Sequence, residues 1–82
     1  MKNLQEDFRN ELKNKEKLTV SEYAILYKKH AELAIEAELS KGVSEHQAKA
    51  MGNYYTAAVL TNCVPNENTL TRVLALIEEN KE

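Results

Sequence analysis

Residues 19–44 read TVSEYAILYKKHAELAIEAELSKGVS, and this stretch decides the fold. Thr19 and Glu22 have the spacing of a capping box. The hydroxyl accepts from the third helical amide while the carboxylate reaches back to the amide of the cap. Gly42 stands where a left-handed residue closes a helix, and Lys41 just before it suits the negative end of the helix dipole. The spacing predicts one long helix over about residues 20–41. At about 100° per residue, Tyr23, Leu26, Tyr27, His30, Leu33, Ala34 and Ala37 share a face. Ala24, Ala31, Ile35 and Leu39 form a second, adjacent apolar strip. Lys28, Lys29, Glu32 and Glu36 mark the water side.

Working downstream, Ser44 and Gln47 suggest another capping box, with Val43 placed to staple onto Ala48. A third helix is expected from Ser44 to about Asn62. Ala48 and Gly52 lie four apart and leave a shallow groove for a second helix. A mid-helix glycine costs about 1 kcal/mol against alanine, so close approach is a physical reason for Gly52. The turn Cys63-Val64-Pro65-Asn66 ends this segment. A fourth helix follows, capped by Asn66 or Asn68, with Leu70, Val73, Leu74 and Ile77 at i, i+3, i+4 and i+7. Leu76 falls off that stripe and would be exposed on an isolated helix. The tail 78–82 is expected to fray.

Upstream, Leu4, Phe8 and Leu12 step by four along a charged first helix, about Leu4 to Lys15. Such a helix either packs one thin edge onto the body or swings loose. Glu11 and Lys15 have the favoured order for an i,i+4 ion pair. Residues 13–17 read as a solvated connection. The expected architecture is all-α, a small bundle of about four helices in one domain. Residues 1–18 form a peripheral or mobile helix, and helices two to four form the core. Their apolar faces are wider than a lone bundle of this size can cover. The surplus points to a homodimer or an apolar groove, unless the first helix covers it.

Composition bounds the function. A chain of 82 residues buries roughly 60–65% of its unfolded surface, so the core is thin. Cys63 is the only cysteine, the opening MKNLQED is charged, and no run approaches the roughly 20 apolar residues of a spanning helix. A cytoplasmic protein with no membrane span is the expectation. Eleven basic against thirteen acidic residues argue against a general nucleic-acid binder. Residues 1–18, with five basic and four acidic side chains, are the only mildly basic part.

No residue pattern supplies chemistry. His30, His46 and Cys63 lack metal-site spacing, so no metal and no cofactor are expected. His30 lies mid-stripe and reads as a core or interface histidine with one satisfied nitrogen. His46, in the first turn of the third helix, reads as a surface residue. Cys63 has no basic neighbour to activate it and reads as a small buried apolar residue. Asp7 is the single aspartate, and neither paired carboxylates nor a glycine-rich phosphate loop is visible. The chain is therefore read as a non-enzyme. Tyr23 and Tyr27 stack along one face as packing residues. Tyr54 and Tyr55 point about 100° apart, so one is free to anchor a partner. Tyr54, Tyr55 and Leu76 are the candidate partner-binding residues.

The corner Leu39-Ser40-Lys41-Gly42-Val43-Ser44 resembles the turn of a helix-turn-helix DNA reader. The glycine, valine and serine match, whereas Lys41 and Glu38 depart from the usual apolar and small residues. The reading helix would carry one firm positive charge, Lys49. A glycine-capped corner accounts for the same residues.

In length and helical character, and in its opening MKNLQEDFRNEL and corner LSKGVSEHQ, the chain resembles the accessory antiholins of T-even-type bacteriophages, which are cytoplasmic lysis-inhibition proteins. The resemblance implies binding to the cytoplasmic part of the holin, restraint of pore formation and delay of host lysis. It assigns no role to an individual residue. The alternatives are a helix-turn-helix regulator and a phage inhibitor of a host defence or host enzyme.

Overall fold

The computed structural model describes residues 4–15 and 17–79. Four helices follow one another: α1 (Leu4–Lys13), α2 (Val20–Leu39), α3 (Glu45–Cys63) and α4 (Glu67–Glu79). The described residues contain no strand. The fold is a small all-α bundle, as the spacing of caps and apolar residues predicts. The expected fraying of the tail beyond Glu79 lies outside the described residues.

The caps explain where the helices begin. Thr19 Oγ1 accepts from the Glu22 amide at 3.1 Å, and Glu22 Oε1 accepts from the Thr19 amide at 2.9 Å, completing the box. Ser44 accepts from the Gln47 amide at 3.1 Å. The return bond of that second box is replaced: Gln47 Nε2 turns to Met51 Sδ at 3.8 Å, a weak contact. Asn66, one of the two candidate caps for α4, accepts from the Thr69 amide at 2.8 Å. Helix α2 ends two residues earlier than the glycine spacing suggests. Ser40 is its C-cap, Lys41 lies just past it, and Gly42 turns the chain at φ +90°.

α2 is the centre of the packing. It lies against α3 over the most extensive contact, and α4 packs on it as well. α1 crosses α3 and α2. The reason α2 and α3 approach closely is Gly52. A Cβ there would stand 2.6 Å from Ile35 Cγ1 and 2.9 Å from the Ile35 backbone nitrogen. The groove expected from Ala48 and Gly52 is thus occupied by α2.

Phe8, Leu60 and Val73 are the largest fully buried side chains, and Leu12, Tyr23, Leu26, Tyr27 and Val59 join them. Two expectations are corrected here. Glu11 does not pair with Lys15; it crosses to α2, where it meets His30 and Lys29. The register of α4 is also turned from the simple stripe. Val73 is fully buried, but Leu74 is 40% exposed, while Leu76 packs partly against the core. Leu76 is therefore not the exposed side chain expected of an isolated helix, because α4 leans on α2 with its 73/76/77 edge. The first helix does cover part of the apolar surplus, since Phe8 is 1% exposed beneath it.

Candidate functional site

Between α1, α2 and α3 runs an open cleft of about 530 Å³. Leu4 and Phe8 form one wall, Tyr55 and Val59 another, and Ala34 and Ala37 the floor. Alanines on α2 keep the floor low, which is why three helices meeting here leave a space. His30 lies at one end. Glu38 lies about two turns further along α2, and Lys41 lies just past its end.

His30 is buried, and its sequence reading holds in detail. Nε2 lies 3.0 Å from Glu11 Oε1, and because a carboxylate only accepts, Nε2 carries the hydrogen. The ring stacks on Phe8 at 4.6 Å and 19°. Nδ1 is sealed from solvent without a hydrogen-bond partner. The single satisfied nitrogen therefore fastens α1 to α2. The hydrogen bond from His30 holds the Glu11 carboxyl below its ordinary value against the opposing effect of burial, and Lys29 at 3.4 Å adds to the lowering.

Tyr54 and Tyr55 divide as their spacing predicts. Tyr54 is 71% exposed, whereas Tyr55 is half-buried and lines the cleft. Their rings meet edge-on at 5.8 Å, so the exposed ring stands beside the cleft. Leu76, the third candidate, does not line the cleft; it lies on α4, partly packed against the core. The structure thus brings two of the three candidate residues together and leaves the third apart. Tyr27 is a packing residue; its hydroxyl donates to the Asn53 carbonyl at 3.3 Å, and burial pushes its pKa up. His46 is exposed at the start of α3. Cys63 is half-buried against the core.

Glu38 is the residue that sequence reasoning missed. It is 4% exposed, a buried carboxylate in the last turn of α2. Lys41 Nζ meets it at 2.7 Å. This contact holds the Lys41 ammonium pKa above its ordinary value. The signal was available: Glu38 lies four after Ala34 and eight after His30, on the inner face. In the sequence, Glu38 is singled out only as a departure from the helix-turn-helix pattern and is assigned to neither face.

Among the described residues no group of His, Cys, Asp or Glu could hold a metal ion. No described helix is long and apolar enough to cross a membrane. At the corner that resembles a DNA reader, Lys49 is the only lysine or arginine of α3, and its ammonium lies 3.1 Å from Glu45. That charge is neutralised within its own helix. No family model, no curated protein and no solved structure matches the chain.

Proposed function

We propose that this chain is a protein-binding regulator without catalytic activity, of the accessory-antiholin class of T-even-type phages. In this reading it acts in the host cytoplasm, binds the cytoplasmic part of the holin and delays lysis. The observation that carries the binding character is Tyr54, an exposed tyrosine ring held edge-on against Tyr55, which itself lines an open cleft. A large rigid aromatic side chain left in water beside a concave surface is the usual composition of a binding hot spot. Ile25, at 68% exposure, adds apolar surface on the outer face of α2. The specific partner rests on the resemblance of the opening and the corner sequences.

The test is affinity purification of the tagged protein from phage-infected cells, followed by mass spectrometry. The holin should co-purify. Tyr54→Ala should reduce its recovery at least about tenfold, the scale of a hot-spot truncation, with an unchanged melting temperature. Recovery of a host enzyme or defence protein instead, with no lysis protein, would replace the antiholin reading with the host-inhibitor one.

A further inference from the structure

The last turn of α2 presents an unusual electrostatic arrangement. A helix C-terminus carries partial negative charge and favours cations. Here the last turn contains no basic residue. It contains Glu38 instead, with its side chain 5% exposed. A carboxylate is disfavoured by the dipole at this end and by removal from water. Its compensation is Lys41, which lies beyond the helix and whose side chain is 68% exposed. The cation is therefore the replaceable member of the pair, and the carboxylate is the fixed one. Both line the cleft, whose remaining walls are mostly apolar.

We propose that the cleft is a docking site for a lysine or arginine side chain of a protein partner, whose charged end takes the place of Lys41 on Glu38 while its aliphatic stem and an adjacent apolar residue lie along Ala34, Ala37, Leu4 and Tyr55. The assignment deepens the protein-binding function and rests on that reading. Charge complementarity selects the occupant: a buried acceptor at the negative end of a helix matches a donor cation and rejects an anion. The cleft is open to solvent, which suits a side chain delivered from another surface. Exchange of one ammonium for another leaves the carboxylate neutralised throughout, so no buried charge is stranded.

A small probe tests the site apart from the identity of the partner. n-Hexylammonium, titrated into the full chain and followed by NMR, should shift the methyl signals of Leu4, Ala34 and Ala37. n-Hexanoate, with the same stem and opposite charge, should not. Glu38→Gln should weaken hexylammonium binding at least about tenfold, the scale of a lost hydrogen bond to a charged group. Lys41→Ala should strengthen it, because the internal competitor is gone. Circular dichroism verifies that both variants fold; Lys41→Ala, at an exposed position, provides the test should Glu38→Gln unfold. Equal binding of hexanoate, or weaker binding in Lys41→Ala, overturns the assignment. The two readings fail separately. Partner capture that is the same in wild type and a folded Glu38→Gln removes the docking site and keeps the protein-binding function. Probe binding without capture of any protein does the reverse.

Discussion

Gly52 leaves no room for a side chain between α3 and α2. The substitution Gly52→Ala has two opposite effects. Alanine gains about 1 kcal/mol of helix propensity. The added methyl would stand 2.9 Å from the Ile35 nitrogen and 3.1 Å from its Cα, which are backbone atoms and cannot rotate away. Separation of α2 and α3 would be required, at a cost of about 1–3 kcal/mol for overpacking. The clash should win, and urea denaturation should show a net loss of stability. Glu11 gives the pH prediction. Its carboxyl is held low in the fold, first by the His30 hydrogen bond. The stability it contributes is fully present above the ordinary carboxylate pKa and is lost as pH falls through the lowered one. Thermal melts between neutral and acidic pH should show that decline. Glu11→Gln should flatten that part of it.

At the scale of helices, the caps and the apolar spacing carried most of the reading, and the failures share one cause. Thr19, Ser44 and Asn66 are local signals, made within three residues, and each begins the helix it was expected to begin. The register of α4, the partner of Glu11 and the burial of Glu38 depend on where other helices lie. A single-helix projection contains no such information. The difference matters for mutagenesis. On the stripe alone, Leu74→Ala should cost roughly 2–4 kcal/mol, as a core leucine does. At 40% exposure it should cost well under that, and Val73→Ala, at a fully buried position, should cost more despite the smaller side chain. Paired urea titrations of the two variants decide the register. The candidate site was legible in the same uneven way. The division between Tyr54 and Tyr55 follows from the helical angle, whereas the cleft beside them exists only when α1, α2 and α3 come together.

Viewed whole, the molecule is a plate of 37 × 30 × 16 Å. Its thin dimension matches two layers of helices at about 10 Å spacing. Two layers cannot enclose many large side chains, and Ile25, Leu33, Leu39, Tyr54 and Leu74 remain in contact with water. A second copy covering part of that surface would relieve the small core. Light scattering should then give twice the chain mass for a homodimer, and a monomer mass would assign these side chains to another partner. α2 has a special place in the plate, because it touches each of the other three helices. Hydrogen–deuterium exchange should register this as a difference in time. The amides in the middle of α2 can open only when the whole bundle comes apart, so they should exchange last, at the rate of global unfolding. Those of α4, which packs chiefly on α2 alone, should exchange earlier, through partial openings that leave the rest folded.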